Sequence, residues 1–320
     1  MIVVDGVLII DKPAGLTSHD VVARVRRLLH IRRVGHAGTL DPFATGVLIV
    51  LVGTATRLAQ FLTGAEKEYE AVIRLGFSTD TGDLTGRPLT NPDERENLKI
   101  RWTDDEIETA LRQLCGPINQ IPPMYSAKKR KGQKLYELAR RGEKIEREPV
   151  CVSIHTFEAR RSGGQFWKDN RDGTLDLSVH VVCSAGTYIR TLAEDFGKLL
   201  GVDAHLAELR RTRSGDFSVE DAKTLEQLKH TVDEGSLGTV LVPSDAALRR
   251  MPFVHLSVRS AEKARNGMAV AVESGPSGKW SDGERVRVQD EAGELIAVGY
   301  YDARSKLLHP RVVLVSKNKD

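Results

Sequence analysis

The sequence has few cysteines and lacks the motifs of common metal-dependent and cofactor-dependent enzymes. Its three cysteines, Cys115, Cys151 and Cys183, are odd in number and widely spaced, with no CxxC pair. This argues against a disulfide framework and against a zinc site. The motifs GxxxxGK[S/T], HExxH and GxGxxG are also missing, so nucleotide-triphosphate, zinc-hydrolase and dinucleotide chemistry lack their signatures. We therefore expect no metal and no cofactor.

Long apolar runs and a strong excess of one charge are missing as well. The first apolar run is interrupted by Asp5 and Gly6 and has no basic leader, and no stretch approaches the roughly 20 apolar residues that span a bilayer. We expect no signal peptide, no membrane segment and a cytoplasmic location. The net charge is only +3, so any surface for a polyanion has to be local.

The chain has enough length and apolar content for globular domains. Its 320 residues allow two or three domains, and 40% of them are hydrophobic. Alternating or continuous apolar patterns predict strands, and amphipathic patterns with capping residues predict helices. The predicted strands are 7–10, 47–52, 67–75, 150–159 and 175–183; the predicted helices begin near Thr17, Thr54, Thr103, Thr187 and Asp203.

A domain boundary is predicted between Pro243 and Pro252. The following residues form short alternating segments with frequent glycine, at 269–272, 285–288, 295–301 and 312–315. This spacing predicts a small all-β barrel or sandwich.

A glycine-punctuated loop over 35–46 presents a single carboxylate, Asp41, just before the apolar run 47–52. Glycines let the backbone take positive φ, while Pro42 restricts both itself and Asp41. Asp41 is therefore a candidate nucleophile on a stiff loop. A simple turn that starts at Asp41 is the alternative.

The segment before this loop is rich in basic residues. Lys12 follows the first predicted strand, where it could contact a phosphate or simply be a solvated turn lysine. The first predicted helix and its end then carry five arginines, at positions 24, 26, 27, 32 and 33. Such a group would suit a polyanionic substrate, or it could be a solvated helix face.

Tyr69 lies on the predicted strand 67–75, where it could pack in the core or stack on a base. The turn 78–86 that follows contains Asp80 and Asp83. These aspartates could anchor arginines near the site, or they could bond only within the turn.

A second basic stretch lies between Ser126 and Glu148, with nine basic residues against four glutamates. It includes Lys128, Lys129, Arg130 and Lys131, and Tyr125 and Tyr136 flank this run. A basic segment with aromatics can neutralise phosphates and stack on unpaired bases. A solvated helix and loop is the alternative.

Arg190 is predicted in the first turn of the helix that begins near Thr187. Beside Asp41 it would hold the carboxylate ionised and oriented through a bidentate pair; the alternative is an ordinary surface salt bridge. Residues 203–213 also look helical, with Leu209 as a core position.

Five segments of the chain resemble, in order, the motifs of the TruB family of tRNA pseudouridine synthases. They read DKPAGLTSHD, GHAGTLDPFATG, EKEYEAVIRLG, STDTGDLTG and CSAGTYIR, and they span most of residues 7–213. The C-terminal part resembles, more loosely, a PUA-type RNA-binding barrel.

The resemblance implies an α+β fold: a catalytic domain over 1–245 with a mixed, largely antiparallel sheet and flanking helices, a basic RNA-binding insertion at about 120–150, and a PUA-like domain over 251–320. It also implies isomerisation of uridine 55 in the T-loop of tRNA, without a cofactor or an obligate protein partner. We expect a monomer, because the sequence has no long exposed heptad or other dimer signature.

The same resemblance implies a role for each site residue. Asp41 would be the nucleophile, Arg190 its ion-pair partner, and Tyr69 would stack on the base and take part in removal of the C5 proton. His36 would fill the space of the flipped nucleotide, while Tyr188 and Leu209 would line the uracil pocket. Lys12 would be structural or contact a phosphate.

Two other functions remain open at this point. A non-catalytic tRNA-binding or tRNA-folding protein would use the same basic surface. A hydrolytic glycosidase would need a second carboxylate as a general acid and would release free uracil.

Overall fold

The computed structural model describes residues 5–89, 102–126, 129–130, 133–134, 141, 145–161, 164–272 and 280–314. The α-helices of these residues are α1 (Ser18–Leu29), α2 (Ala59–Leu62), α3 (Asp104–Gln113), α4 (Ile189–Leu199), α5 (Leu225–Asp233) and α6 (Val258–Arg265). The strands are β1 (Gly6–Lys12), β2 (Val34–Ala37), β3 (Thr45–Val52), β4 (Lys67–Leu75), β5 (Gly116–Gln120), β6 (Lys129–Arg130), β7 (Gln133–Lys134), β8 (Val150–Ala159), β9 (Trp167–Asp169), β10 (Leu175–Cys183), β11 (Ala204–Ser214), β12 (Phe217–Ser218), β13 (Phe253–His255), β14 (Val270–Ala271), β15 (Arg285–Gln289), β16 (Leu295–Asp302) and β17 (Leu307–Val313).

A large mixed sheet carries most of the chain. Its main path is β1-β3-β11-β4-β10-β8-β5, and β2, β9 and β12 extend it beside β3, β10 and β11. The pairs along this path are antiparallel except for β3 with β11, which is parallel. The predicted α+β class with a mixed, largely antiparallel sheet is therefore confirmed.

Local sequence signals explain where the helices begin. Thr17 caps α1 and Thr103 caps α3. In each case the threonine hydroxyl accepts from the backbone N–H of the acidic residue three positions on, and the carboxylate of that residue accepts from the backbone N–H of the threonine. Such capping boxes satisfy two free N–H groups of the first turn. The start predicted near Thr187 is displaced by one residue, because Tyr188 is the N-cap of α4 and the Thr187 hydroxyl donates to the Ser184 carbonyl.

The predicted helix over 203–213 is wrong, because these residues form strand β11. It pairs with β4 on one side and β3 on the other, in the middle of the sheet. Irregularities at Leu206/Glu208 and Arg211/Arg213 each shift the register. They break the two-residue alternation that identifies a strand, and this leaves a spacing of apolar residues that resembles a helix.

The C-terminal residues form a separate five-stranded sheet in the order β13-β15-β16-β17-β14. Strands lie at the predicted segments 269–272, 285–288 and 295–301, whereas the strand predicted at 312–315 begins earlier and ends at Val313, with residue 315 outside the described residues. A helix, α6, that the alternating pattern did not indicate is added to them. Val298, Val312 and Leu314 of this part pack in one cluster with Val7 and Ile49 of the large sheet. The division of the chain at 245–251 stays a prediction.

In the described part of the chain, no helix is long and apolar enough to cross a membrane. Cys115, Cys151 and Cys183 are free thiols in the structure.

Candidate active site

The Asp41 loop connects β2 to β3 and is fixed from several sides. The Ser18 hydroxyl donates to the Leu40 carbonyl (3.2 Å) and accepts from the Leu40 N–H (2.9 Å). At the other end of the loop, Gly46 has φ +98°, and a Cβ there would lie 2.1 Å from the carbonyl oxygen of Arg211. Only glycine permits this approach of β3 to β11. The loop is therefore stiff, as its sequence predicted.

Lys12 is not a solvated turn lysine, and its burial contradicts a phosphate contact. It is 0% exposed, and its ammonium donates to the carbonyls of Pro13 (2.9 Å), Leu16 (2.7 Å) and Pro42 (3.2 Å). All three ammonium donors are used by backbone oxygens. Burial lowers the pKa of Lys12 to about 8, and the Asp41 carboxylate opposes this change. Lys12 thus ties the loop after Asp41 to the end of β1.

Asp41 and Arg190 form a bidentate ion pair. The Nε of Arg190 lies 2.9 Å from Oδ2 of Asp41, and Nη2 donates to Oδ1 at 3.2 Å. The Arg190 side chain is 5% exposed, whereas that of Asp41 is 32% exposed. Two parallel bonds fix the plane of the carboxylate, and Asp41 keeps an accessible surface for a substrate.

The remaining donors of Arg190 hold the guanidinium in place. Nη1 donates to the Thr81 carbonyl (2.9 Å) and lies 3.4 Å from Oδ2 of Asp83, and Nη2 donates to the Tyr125 carbonyl (2.8 Å). The prediction that an aspartate of turn 78–86 anchors an arginine near the site is confirmed for Asp83. Arg190 therefore joins three separate segments of the chain at one point.

The electrostatic environment of Asp41 is not set by Arg190 alone. Burial raises the pKa of Asp41 above its ordinary value of 3.8, and the Arg190 guanidinium opposes this change. The Asp83 carboxylate raises it further, and the Lys12 ammonium lowers it. The sequence suggested only the effect of Arg190. A carboxylate with a raised pKa is more basic than usual, and the guanidinium keeps it oriented.

A cavity of about 330 Å³ opens beside Asp41. This is at the small end of the range for ligand pockets, which runs from about 300 Å³ to 1,000 Å³. Five predicted site residues line it: Asp41, Tyr69, Tyr188, Arg190 and Leu209. The structure therefore brings together residues that lie up to 168 positions apart in the sequence.

Tyr69 and Leu209 enter the cavity from adjacent strands. Leu209 of β11 is directly opposite Ala71 of β4, two residues from Tyr69, so both side chains leave the same face of the sheet. Both are buried. Burial raises the pKa of Tyr69, so its phenol is neutral at pH 7.

Tyr188 is held at the start of α4 by a pair of hydrogen bonds with Gln120. Its N–H donates to Oε1 of Gln120 (3.0 Å), and Nε2 of Gln120 donates to its carbonyl (3.3 Å). Gln120 is buried on β5, so an edge strand of the sheet fixes this wall of the cavity.

His36 lies on β2, before the Asp41 loop, and does not line the cavity. Its ring packs edge-on against His19 at 5.3 Å. Burial, His19 and Arg211 lower the pKa of His36 to about 4, so the imidazole is neutral at pH 7.

Sequence reasoning missed two cations that line the cavity, Lys67 and Arg211. Arg211 is 0% exposed and donates to the carbonyls of Val47 (2.8 Å), Gly38 (3.0 Å) and Thr39 (3.4 Å). Its place opposite Tyr69 in the sheet was not predicted, because residues 203–213 were interpreted as a helix. Lys67 directly precedes Glu68 and Tyr69 at the start of β4, and its position two residues before Tyr69 was the available signal.

The predicted backbone contacts Lys128 and Lys131 lie outside the described residues, as do the side chains of Lys129 and Arg130, whose backbone forms β6. Within the ranges that the structure describes, no group of three or more His, Cys, Asp or Glu side chains could hold a metal ion.

Two family profiles match the chain. Residues 26–189 match the TruB family pseudouridylate synthase (N terminal domain), and residues 190–249 match the tRNA pseudouridylate synthase B C-terminal domain. Fold and site thus define an isomerase that converts uridine to pseudouridine. Within that class, the chain belongs to the TruB family of tRNA pseudouridine synthases.

Relatives of similar length support the same family. The chain is 40% identical over 312 residues to tRNA pseudouridine synthase B of Bacillus pumilus, which covers 97% of this chain and 98% of that protein. It is 42% identical over 311 residues to the protein of the same name from Aromatoleum aromaticum, with 97% and 93% covered.

Solved structures extend the likeness to the whole fold. A structure described as an H/ACA RNP bound to a substrate RNA containing 2′-deoxyuridine matches with a TM-score of 0.71 and 26% identity, over 98% of this chain and 86% of that one. A Cbf5-Nop10-Gar1 complex matches with a TM-score of 0.71 and 27% identity, over the same shares.

Proposed function

We propose that this protein isomerises uridine 55 in the T-loop of tRNA to pseudouridine, with Asp41 as the nucleophile. The observation that carries the proposal is the bidentate Asp41–Arg190 pair, whose carboxylate faces a cavity lined by Tyr69 and Leu209. Position 55 rests on the resemblance to the TruB family and on the relatives named tRNA pseudouridine synthase B.

The reaction needs one nucleophile and no external redox agent. The C1′–N1 bond breaks, the base turns, a C5–C1′ bond forms, and the proton lost from C5 is balanced by one gained at N1. The Asp41 carboxylate has two electrophilic carbons available, C6 of the pyrimidine and C1′ of the ribose. Attack at either forms a covalent adduct that divides the rearrangement into smaller steps.

The target uridine must leave its stack to reach Asp41. In this proposal the everted base stacks on Tyr69 and is packed from the side by Leu209, which replaces part of the lost stacking energy. His36 occupies the gap in the RNA. Its low pKa supports this role, because a neutral imidazole stacks between bases without a desolvated charge.

Tyr69 also takes part in removal of the C5 proton. Because burial raises its pKa, the phenol is protonated at neutral pH, so it would relay a proton rather than act as a phenolate base. Tyr188 lines the cavity and helps to exclude water, which would otherwise hydrolyse the glycosidic bond.

The arrangement does not favour a hydrolytic glycosidase. Such an enzyme needs a second carboxylate at the reacting bond. Asp83 is the second carboxylate near Arg190, but its side chain is 6% exposed, and Asp83 does not line the cavity.

The tRNA would be held through its phosphates as well as through the everted base. Five exposed arginines lie on α1 and in the turn after it: Arg24, Arg26, Arg27, Arg32 and Arg33. Nη2 of Arg26 donates to the Val34 carbonyl (2.6 Å), so this surface is tied to the strand that carries His36. Residues 126–148 and the C-terminal sheet would add further contacts.

We propose that the protein acts on tRNA as a monomer in the cytoplasm, without an obligate protein partner. The relatives named tRNA pseudouridine synthase B support tRNA as the substrate, and the sequence has no long exposed heptad pattern that would indicate a dimer. Sedimentation of the protein with and without tRNA would test it, and a stable dimer would contradict it.

The experiment that tests the proposed function is a pseudouridine map of an unmodified tRNA transcript after incubation with the protein. We expect one new pseudouridine, at position 55, and no free uracil. Conversion at a different position would overturn the assignment of the site in tRNA, and release of uracil would identify a hydrolase.

The exposed arginine surface also favours a second activity, the binding and folding of tRNA. The Asp41→Asn variant separates the two, because it leaves this surface intact. We expect the variant to bind tRNA with the parent Kd while it forms no pseudouridine. A loss of binding together with activity would contradict this separation.

A further inference from the structure

The charges that line the active-site cavity are not balanced. Its charged lining residues are Asp41, Lys67, Arg190 and Arg211, three cations and one carboxylate. The positive charge of Arg190 is balanced by Asp41 and by Asp83, which does not line the cavity. Lys67 and Arg211 are buried without a carboxylate partner in the described part of the chain. Lys67 donates to the carbonyls of two loop residues, and Arg211 donates to three backbone carbonyls and interacts with the Tyr69 hydroxyl.

Buried cations without a counter-charge are unfavourable for folding. Arg211 has a structural use, because it holds the carbonyls of Gly38 and Thr39 next to the Asp41 loop. Lys67 has less. It is 7% exposed and donates to the carbonyls of Ala65 (2.9 Å) and Thr63 (3.1 Å). An ammonium has three donors, so one remains for a group inside the cavity.

Lys67 lies on the same face of the sheet as Tyr69, the residue on which the base would stack. It is two residues before Tyr69 on β4, so the two side chains share a face, and Arg211 is opposite Tyr69 on β11. A Cβ on Gly38 would lie 3.5 Å from Cε of Lys67 and 3.7 Å from Nη1 of Arg211. The largest charge effects on Asp41 come from Arg190, Asp83 and Lys12.

The reaction itself creates a negative charge that such a cation could stabilise. If Asp41 attacks C1′, the electron pair of the C1′–N1 bond stays on N1 and spreads over the pyrimidine to O2 and O4. If Asp41 attacks C6, the electron pair of the C5–C6 double bond moves onto C5 and O4. Either route places negative charge on a carbonyl oxygen of the base.

We propose that Lys67 donates a hydrogen bond to the pyrimidine oxygen that becomes negative during the isomerisation, and so stabilises the detached or attacked base. Preorganised donors of this kind act mainly on the transition state and are most effective in sites that exclude water. This inference rests on the proposed function, because it needs uridine in the cavity and Asp41 as the nucleophile.

The test is a single-turnover measurement of pseudouridine formation with saturating enzyme and an unmodified tRNA, using Lys67→Met and Lys67→Arg. We expect Lys67→Met to lower the rate about 100-fold with little change in Kd, as for loss of one oxyanion donor. Lys67→Arg keeps the charge and should recover a substantial part of the rate. The melting temperature of each variant shows whether it folds.

The pH dependence gives a second readout that a structural role would not change. Burial and the Arg211 guanidinium lower the pKa of Lys67 to about 8, so the parent rate should fall as pH rises above this value. Lys67→Arg should remove the part of this fall that is due to Lys67. Beside Lys67, Cys183 has a pKa raised to about 11 and burial raises the pKa of Tyr69, so neither titrates in this range. Lys12, which acts on Asp41, also has a pKa lowered to about 8, so the comparison of the parent with Lys67→Arg isolates the contribution of Lys67.

Three results would overturn the inference. A parent-like rate in folded Lys67→Met would show that the ammonium is not needed. An increase in Kd with a flatter salt dependence, at an unchanged rate, would show that Lys67 binds a phosphate instead. A rate loss that Lys67→Arg does not reduce, with an unchanged pH profile, would show a structural role. An active Asp41→Asn variant would refute the proposed function itself, which keeps the two failures distinct.

Discussion

The two faces of strand β4 carry charged residues in different ways. On the face away from the cavity, Glu68 pairs with Arg213 (2.8 Å) and His180 (2.9 Å), and Arg74 pairs with Asp176 (2.7 Å). On the cavity face, the hydrogen-bond partners of Lys67 among the described residues are two backbone carbonyls.

The difference separates charges that support the sheet from charges that serve chemistry. Opposite charges on neighbouring strands stabilise the outer face by modest amounts, and Glu68 and Arg74 are both engaged in such pairs. In the cavity, hydrogen-bond donors and part of the Asp41 carboxylate stay available to a ligand. The rest of the fold has to offset the free-energy cost of desolvating these charged groups. The following variants test this separation, from the largest expected effect to the smallest.

Replacing Arg190 with Gln should have the largest effect. It removes both bonds to Asp41 and leaves Asp83 without its cation. We expect the single-turnover rate to fall by roughly 1,000-fold and stability to fall by about 3 kcal/mol. The matched control is Arg213→Gln on the outer face, which should lower stability while the rate stays close to that of the parent. Equal rate losses in the two variants would contradict the separation.

Tyr69→Phe keeps the ring that stacks on the base and removes the phenol. We expect release of the C5 proton to slow by about 100-fold, with tRNA affinity preserved. Stopped reactions with C5-tritiated tRNA would measure this step. If the variant lost affinity but kept the rate, the hydroxyl would have a role in binding.

Neutralising Lys128, Lys129, Arg130 and Lys131 together should weaken tRNA binding about tenfold or more and reduce the dependence of Kd on salt. The catalytic pair is untouched, so the rate at saturating enzyme should persist. Equal salt slopes for the variant and the parent would refute a phosphate contact by this basic run.

Asp83→Asn should change the pH dependence. Activity requires ionised Asp41, so the rate should fall as pH decreases through its pKa. The Asp83 carboxylate raises that pKa, and removing it should move the acidic limb of the rate profile to lower pH. A limb that moves to higher pH would show that Asp83 acts mainly by positioning Arg190.

Arg74→Gln on the outer face should have the smallest effect on function. The bond to Asp176 is bidentate, at 2.7 and 2.8 Å, and Asp176 is buried. We expect a loss of about 2 kcal/mol in the free energy of unfolding and no change in turnover. Urea denaturation and the single-turnover assay would measure both.

The sequence predicted those parts of the fold that have regular periodicity. The run 47–52 and the alternating segments 67–75, 150–159 and 175–183 are strands where the patterns indicated them. Strand β11 was missed because register shifts at two places disguise its alternation.

Site residues that belong to a short sequence motif could be predicted. Site residues that reach the cavity only through the packing of separate strands could not. Asp41, Tyr69 and Arg190 lie in distinctive segments, and all three line the cavity. The burial of Lys12 and the placement of Lys67 and Arg211 in the cavity wall depend on how three strands pack, which local residue patterns do not determine. The pKa of Asp41 likewise depends on burial, for which a sequence gives no measure.

The most direct test of the account compares tritium release from C5-labelled uridine in an unmodified tRNA for the parent, Asp41→Asn and Asp83→Asn. Both aspartates lie beside Arg190, but Asp41 is the one that faces the cavity. The account predicts no release with Asp41→Asn and measurable, slower release with Asp83→Asn. Release at the parent rate by folded Asp41→Asn would contradict it.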